Sequence, residues 1–262
     1  MTPFPVLQGN AYAQYPIVRR WERHREETVS PGRQRSAWRD TGSERYRWVL
    51  RYRSLSTVEK GLLESHFDAC GGSLRSFPFL DPAANLLRWS EDLTRDTWIA
   101  PAMLAVSGGR PDPLGGSRAV SIVNAGQTEL GFRQSLALAG SPSLCFSVWM
   151  RSIAPISCSL AIQPGIALSM GVLETWDRKW VSWQPGSPIS NVSFEIVIPA
   201  GASVEVFGPQ VETQLSPSPY KATASRGGVY PNARYDQDKM LFTVLGPDNY
   251  STTIHIVSSL TE

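Results

Sequence analysis

The sequence predicts a mainly β protein with one α-helix, organised as two modules. The chain contains 20 prolines and 21 glycines spread along its length, as expected for many short strands separated by turns. Several runs alternate apolar and polar residues with a period of two, which is the pattern of a half-buried strand. Only one segment carries clear start and stop signals of a helix.

The clearest predicted strand is Glu44–Arg53, which follows a predicted turn at Asp40–Ser43. One face of this strand is apolar and aromatic, and consists of Tyr46, Trp48, Leu50 and Tyr52. The opposite face carries four guanidinium groups, those of Arg45, Arg47, Arg51 and Arg53. Successive residues of a strand point to opposite faces, so the aromatic face requires a partner that covers it.

The predicted helix covers about residues 56–70. Ser56 and Glu59 have the spacing of a capping box, and Gly71-Gly72 supplies the stop. The apolar residues expected on its buried side are Val58, Leu62, Leu63 and Phe67. A short strand at residues 76–82 follows and ends at a proline.

From residue 85 to about 220 arginine becomes rarer, and serine, glycine and small apolar residues replace it. Six short strands are predicted there: Ala119–Val123, Leu144–Ser152, Ser159–Gln163, Trp180–Gln184, Val192–Ile198 and Ser203–Gln210. Strands of this length and spacing predict a β-sandwich. A linker at 222–228 precedes a C-terminal hairpin, whose turn is Gly246–Asn249.

The two ends of the chain are predicted to fold together. Residues 1–84 contain too few strands to cover their own aromatic face, and a lone hairpin at 235–258 is marginal by itself. If the two segments paired, the aromatic face would be covered and the hairpin would be stabilised. The sequence therefore predicts a discontinuous module, 1–84 plus 228–262, with residues 85–227 inserted as a second module.

No catalytic or metal-binding constellation is present in the sequence. His24, His66 and His255 lie outside any metal-ligand motif, and there is no nucleophile elbow or phosphate-binding loop. Cys70, Cys145 and Cys158 are predicted to be core thiols, with a Cys145–Cys158 disulfide as the alternative. Glu91-Asp92 and the pair Glu195 and Glu205 could supply glycosidase carboxylates, although solvated surface carboxylates are the preferred interpretation. We therefore expect no enzyme activity, no metal and no cofactor.

The charge pattern and the hydropathy of the sequence indicate which classes of partner to expect. The net charge of +2 gives the chain no strong attraction to nucleic acid, and no apolar run approaches the length of a membrane helix. The first ten residues lack a signal-peptide pattern, so folding in a cytoplasm is expected. The arginine-rich stretch Arg19–Arg53 could form a basic surface for nucleic acid or for an acidic protein partner. Acidic residues are interleaved with the arginines, however, which favours a solvated face or ion pairs between subunits. The arginine face of Glu44–Arg53 is less mixed, and Arg45, Arg47, Arg51 and Arg53 could line a channel or form a subunit contact.

Tryptophan is the other notable feature. Flat aromatic rings can stack on sugars, although most tryptophans in a β-sandwich belong to its core. Trp149 alternates with Ser147 and Arg151, and Trp180 alternates onto a polar face, whereas Trp183 shares its face with a valine. Trp149 and Trp180 are therefore the candidates for carbohydrate binding, and Trp183 is predicted to be a core residue.

The order of motifs in the two ends resembles a known family. The motifs are Tyr15-Pro16, Asp40–Arg45, Leu55-Ser56, Gly71-Gly72, Phe77–Pro82 and Tyr235-Asp236 with the hairpin that follows. They resemble the distal tail proteins of long-tailed bacteriophages and gene transfer agents. The resemblance implies a ring, usually hexameric, that joins the tail tube to the tail tip.

The inserted module resembles a carbohydrate-binding-module-like jelly roll that is common in phage tail proteins. The matching residues are Asn85–Leu87, Ser90–Leu93, Trp98, Gln134, Phe146–Met150, Trp176, Arg178, Gly208–Glu212 and Ser218–Tyr220. The two resemblances imply a structural virion protein of the tail, made in the host cytoplasm. Its implied partners are further copies of itself, the tail tube protein, the tail hub or tip proteins and host surface polysaccharide. The alternatives are a carbohydrate-binding adhesin without a ring-forming role and, less favoured, a glycan-degrading enzyme.

Overall fold

The computed structural model describes residues 2–8, 11–39 and 41–260. The chain divides into two compact units. The first comprises Met1–Gln8, Ala13–Phe79 and Tyr230–Glu262, and the second comprises Gly9–Tyr12 and Leu80–Val229. That these are a tail-ring module and a carbohydrate-binding module stays a prediction. Asp40, which begins the predicted turn, lies outside the described residues, as do Met1, Gly9 and Asn10 of the N-terminal stretch.

The described part of the chain is mainly β, as predicted. The elements up to residue 80 are β1 (Val18–Glu22), β2 (Arg25–Val29), β3 (Arg35–Arg39), β4 (Arg45–Leu55), α1 (Thr57–Cys70) and β5 (Phe77–Leu80). The next strands are β6 (Leu104–Arg110), β7 (Ala119–Asn124), β8 (Leu130–Gly140), β9 (Leu144–Arg151), β10 (Ile156–Gln163), β11 (Ile166–Val172), β12 (Asp177–Trp183), β13 (Ile189–Ile198) and β14 (Ser203–Glu212). The last are β15 (Val229–Tyr235), β16 (Phe242–Gly246) and β17 (Asn249–Ser259). Within the described residues, no helix is long and apolar enough to cross a membrane.

The sheet of the first unit joins the two ends of the chain. Its strand order is β1-β4-β17-β15-β5. Strand β16 pairs with residues 249–252 at the start of β17. Strands β4 and β17 are antiparallel, and Trp48 lies opposite Ile256. Trp48, Leu50 and Tyr52 are buried, and the Trp48 ring lies 4.7 Å from that of Tyr230. The predicted pairing between the aromatic strand and the C-terminal hairpin is therefore present.

The ends of α1 are fixed by the residues that the sequence identified. Ser56 is the N-cap: its hydroxyl accepts from the Glu59 N–H at 3.2 Å, and the Glu59 carboxylate accepts from the Ser56 N–H at 2.9 Å. These reciprocal bonds complete the capping box. Gly71 ends the helix in the left-handed region, with φ of 62°, where glycine carries no steric penalty. The helix prediction is confirmed.

The buried face of α1 differs from the predicted one. Val58 and Leu62 are 73% and 45% exposed, and the buried residues are Leu63, His66 and Cys70. The buried stripe runs through a histidine because the His66 Nδ1 atom is within 2.7 Å of the Tyr235 hydroxyl, which gives the buried ring a polar partner. Apolar periodicity could not reveal a buried histidine.

The first unit also carries a hairpin that the sequence did not predict. Within the described part of the chain, strands β2 and β3 pair only with each other. Every residue of β2 is exposed, as are residues 35–38 of β3. Five of the ten residues in the two strands are charged, and neither strand shows the apolar alternation from which a strand could be predicted.

The second unit is a β-sandwich, as predicted. One sheet has the order β11-β10-β13-β8, and the other has the order β12-β9-β14-β7-β6. Phe146 on β9 and Phe194 on β13 are both buried, and their ring centroids are 5.7 Å apart, so they join the inner faces of the two sheets. The six predicted strands appear as β7, β9, β10, β12, β13 and β14. Strands β6, β8 and β11 were not predicted.

All three cysteines are buried free thiols. The prediction of core cysteines is confirmed, and the alternative of a Cys145–Cys158 disulfide is wrong. Burial raises the pKa of Cys145 and of Cys158 to about 12, because a thiolate would lose its hydration there. These thiols are therefore neutral packing groups at physiological pH.

The chain enters and leaves the second unit along adjacent segments. The Asp81 N–H donates to the carbonyl of Gly228 at 2.8 Å, and the Gly228 N–H donates to the carbonyl of Asn85 at 2.8 Å. The Asn85 side chain is fully buried. Its amide donates to Pro209 O at 3.0 Å, and its carbonyl accepts from Val211 N at 3.0 Å. This asparagine therefore fastens the incoming segment to β14.

Candidate functional site

Three tryptophans share the outer face of the five-stranded sheet, which is turned away from the sandwich core. In the register of β9 and β12, Arg178 lies opposite Trp149, and Trp180 lies opposite Ser147. Residues opposite each other in an antiparallel pair project from the same face. Trp176 directly precedes β12 and continues the alternation of Arg178 and Trp180. We call Trp149, Trp176 and Trp180 the tryptophan face.

Trp180 is the most accessible member of the tryptophan face, with 44% of its surface exposed. It lies on β12, which is the edge strand of its sheet. The residue opposite it, Ser147, is small and buried, so it does not cover the indole. An indole presented in this way can stack on the C–H face of a sugar ring.

Trp149 is half-buried and engaged within the protein. Its ring meets Tyr220 edge-on, with centroids 5.3 Å apart, and the Arg178 guanidinium lies 4.5 Å from its centroid. Gly208 makes this packing possible: its φ is 61°, and a Cβ there would lie 3.0 Å from the Tyr220 ring and 3.2 Å from Trp149. The proposed sugar contact of Trp149 stays a prediction, and its visible role is to support the face.

Trp176 also belongs to the tryptophan face, although it was not among the binding candidates predicted from the sequence. It is half-buried, and the Arg151 guanidinium lies 4.8 Å from its ring centroid. Arg151 is held in turn by Glu205 at 2.7 Å. The sequence pattern could have indicated Trp176, because residues 176, 178 and 180 are two positions apart and therefore share one side of an extended segment.

A polar cluster around the buried Glu212 holds the segment that covers one end of the tryptophan face. We call Gln210, Glu212, Ser218 and Lys221 the polar clamp. Glu212 is 1% exposed and accepts from Lys221 Nζ at 2.6 Å, Gln210 Nε2 at 2.7 Å and Ser218 N at 2.9 Å. Arg178 donates to the Ser218 carbonyl at 2.6 Å. The clamp thus positions Tyr220, and through it Trp149.

The polar clamp keeps its carboxylate charged. Burial by itself would raise the pKa of Glu212, because it disfavours the ionised form. Hydrogen bonds from Lys221, Ser218 and Gln210 outweigh burial and lower the pKa below its ordinary value. A charged and fully bonded Glu212 is therefore part of the fold at neutral pH.

The carboxylates considered for glycosidase chemistry are not arranged as a catalytic pair. Glu195 and Glu205 lie on different sheets of the sandwich, and each follows the outward alternation of its strand. Sheets pack about 10 Å apart, so two outward carboxylates cannot flank one glycosidic bond. The carboxylates form ion pairs: Glu91 with Arg118, Asp92 with Arg95, Glu195 with Arg133 and Glu205 with Arg151. In the part of the chain that the structure describes, no group of three or more potential ligands could hold a metal ion.

The arginine face of β4 separates into two halves. Arg45 pairs with Glu22 at 2.8 Å, and Arg47 pairs with Asp236 at 2.6 Å and with Glu22 at 3.1 Å. Arg51 and Arg53 are exposed, and among the described residues no carboxylate lies within 4 Å of either. A subunit contact through the four arginines stays a prediction, but Arg45 and Arg47 are already neutralised within the chain.

The fold and the site together define a mainly β protein of two units, in which a β-sandwich displays a tryptophan-bearing outer face. The chain is similar to the enzymatically active domain of tailspike protein 4 of bacteriophage CBA120, with 15% identity, a TM-score of 0.37, and coverage of 51% of this chain and 22% of that chain. It is also similar to the CBM22-1 and GH10 modules of a Clostridium thermocellum xylanase, with 10% identity, a TM-score of 0.40, and coverage of 52% and 29%. A third similar structure is the CBM22-1 xylan-binding domain of a Paenibacillus barcinonensis protein, with 14% identity, a TM-score of 0.38, and coverage of 54% and 99%.

The chain spans less than a third of the length of the first two of these structures, 22% and 29%. No protein-family model matches the chain, and no curated protein matches it.

Proposed function

We propose that the protein is a non-enzymatic tail component of a bacteriophage or phage-like particle, and that its second unit binds host surface polysaccharide. The tryptophan face carries this proposal. Trp180 offers an open indole on an edge strand, and Trp149 and Trp176 lie beside it under the guanidiniums of Arg178 and Arg151. Flat rings beside fixed polar groups suit a sugar, which has an apolar face and a polar rim.

The absence of catalysis is part of the proposal. The strongest carboxylate candidates point away from opposite faces of the sandwich, and each is engaged by an arginine. Binding without turnover is the activity that such a face can support. The role in a phage tail is supported by the order of motifs in both units, which resembles distal tail proteins with an inserted carbohydrate-binding module.

Replacing Trp180 by alanine is expected to weaken polysaccharide binding by about fivefold to 150-fold, because a stacking aromatic ring contributes about 1–3 kcal/mol. An array of bacterial surface polysaccharides first identifies a binder. Isothermal titration with a soluble oligosaccharide released from it then gives the Kd without contributions from multivalency.

Trp21→Ala is the matched control, because Trp21 is a similarly exposed tryptophan (53%) in the other unit. Its Kd should equal that of the unmodified protein. Absence of binding to every polysaccharide would overturn the function, whereas unchanged binding by Trp180→Ala would overturn only the assignment of the face. Release of reducing sugar would contradict the non-enzymatic role.

A ring-forming role for the first unit is the second candidate function, and the exposed hairpin favours it. Strands β2 and β3 form an isolated two-stranded sheet, which is marginal in water, and they expose Val29 (55%) and Trp38 (52%). A neighbouring copy that covered this hairpin would stabilise it.

Native mass spectrometry of the purified protein tests this role. A closed oligomer, with a hexamer as the expected size, should form, and Trp38→Glu should shift it toward monomers by placing a charge in the contact. Trp21→Glu is the control that should leave the oligomer intact. A strictly monomeric protein at every concentration would contradict the ring.

A further inference from the structure

The outer face of the first unit contains a basic cleft of about 360 Å³. Arg51 and Arg53 enter it from β4, Lys239 from the segment before β16, and Thr243 and Thr253 from β16 and β17. The cleft lies within one unit, and no acidic residue lines it. Three cations therefore share a concave surface that also offers hydroxyl groups.

These three cations have no acidic partner among the described residues. The acidic residues closest in sequence to Lys239 are engaged elsewhere: Asp236 with Arg47 at 2.6 Å, and Asp238 with the N–H of Ser73 at 2.8 Å. Like charges gathered on one surface repel each other, and a bound anion would relieve that repulsion. Arg45 and Arg47 on the same strand differ in this respect, because both are paired within the chain.

The border of the cleft suits a polypeptide. Strand β16 pairs with β17, which separates it from β4, so side chains of all three strands line the cleft. Thr243 lies opposite Ser251, and Leu241 and Leu245 follow the same alternation as Thr243. These leucines are 77% and 57% exposed, so apolar contacts flank the cations.

We propose that this cleft binds an extended acidic segment of a partner polypeptide. Its carboxylates would meet Arg51, Arg53 and Lys239, and its backbone would lie across β17 within the cleft. Guanidinium groups present paired N–H donors that match the geometry of a carboxylate. A nucleic-acid strand fits less well, because it requires a track of cations along its backbone rather than a short cleft bordered by leucines. This inference does not depend on polysaccharide binding by the second unit.

The test is a titration of the full-length protein against fluorescein-labelled hexaglutamate, followed by fluorescence polarisation. An ionic strength of about 0.05 M keeps screening weak. The double variant Arg51→Glu/Arg53→Glu should raise the Kd by at least about tenfold. The control Arg20→Glu/Arg110→Glu makes the same change in net charge with two exposed arginines outside the cleft, and its Kd should stay within about twofold.

Two further measurements separate peptide binding in the cleft from disruption of the sheet and from binding of nucleic acid. Lys239→Glu changes a residue outside the strands, so loss of hexaglutamate binding there cannot be ascribed to a disrupted sheet. Oligothymidylate, tested in competition, should not displace the peptide. Equal weakening by the cleft and control double variants, no binding by the unmodified protein, or tighter binding of oligothymidylate would each overturn the proposal. Trp180→Ala should leave hexaglutamate binding unchanged, which separates this result from the test of polysaccharide binding.

Discussion

Gly227→Ala is expected to destabilise the second unit by about 3 kcal/mol and to lower its thermal midpoint by about 6–12 °C. A Cβ on Gly227 would overlap the carbonyl oxygen of Leu86 and would lie 2.8 Å from the carbonyl oxygen of Leu87. Both contacts are backbone atoms, so no side-chain rotation can relieve them. Leu86 and Leu87 are fully buried, and the Leu86 N–H is bonded to Val211 O at 2.8 Å, which prevents the segment from retreating.

Gly171→Ala is the matched control for that variant. Gly171 lies on β11, and a Cβ there would meet no atom within 4 Å. We expect a change within about 0.5 kcal/mol, since a glycine in a strand interior is replaced without a clash. Differential scanning calorimetry should resolve separate transitions if the two units unfold independently. An unchanged midpoint for Gly227→Ala would contradict the close approach of residues 86–87 and 227.

Glu212→Gln is expected to lower the free energy of unfolding of the second unit by about 2–4 kcal/mol at neutral pH. The glutamine keeps the shape of the side chain but removes the charge that Lys221 and the Ser218 N–H face. The double variant Glu212→Gln/Lys221→Met should recover part of the loss, because it leaves no unpaired ammonium. Urea denaturation followed by tryptophan fluorescence measures both. A double variant that is less stable than the sum of its single changes would contradict this account of the polar clamp.

The effect of Glu212 should also depend on pH in a defined direction. Its pKa is lower in the folded chain than the ordinary value of about 4.3 for an unfolded glutamate. The folded state therefore binds this proton less readily, and the contribution is complete above the unfolded pKa. It disappears as the pH falls through the folded pKa. The stability difference between the unmodified protein and Glu212→Gln should thus be constant near neutrality and shrink below about pH 4.3.

The strands predicted from sequence were those whose buried face is uniformly apolar. The run around Trp48 is an example, because Trp48, Leu50 and Tyr52 on one face of the strand are all buried. Strand β8 was missed because its buried face includes Gln134, which is 2% exposed. Its amide is satisfied by the backbone of Arg88, at 2.8 and 3.0 Å, from a segment remote in sequence. Strand β11 was missed although it alternates Ile166, Leu168, Met170 and Val172 with small residues, so that signal was present.

The candidate site was predictable only in part. The alternation in β12 identifies Trp180, but the sequence suggested that the strand begins there, whereas it begins at Asp177. That boundary error separated Trp176 and Arg178 from the face that they share with Trp180. The polar clamp could not be predicted, because it forms only when residues 218–221 fold back against Glu212.

The hydrogen bond between Asp81 and Gly228 has a consequence for the stability of the first unit. When the second unit is folded, its two ends are held together, at 2.8 Å between donor and acceptor. If it unfolded, the first unit would have to close a loop of about 150 residues instead of about five, and each doubling of loop length costs about 0.6 kcal/mol. The folded second unit therefore lowers the entropic cost of folding the first unit by about 3 kcal/mol, because it keeps the connecting loop short. Unfolding the second unit in place should thus harm the first more than replacing residues 81–228 with a short linker would.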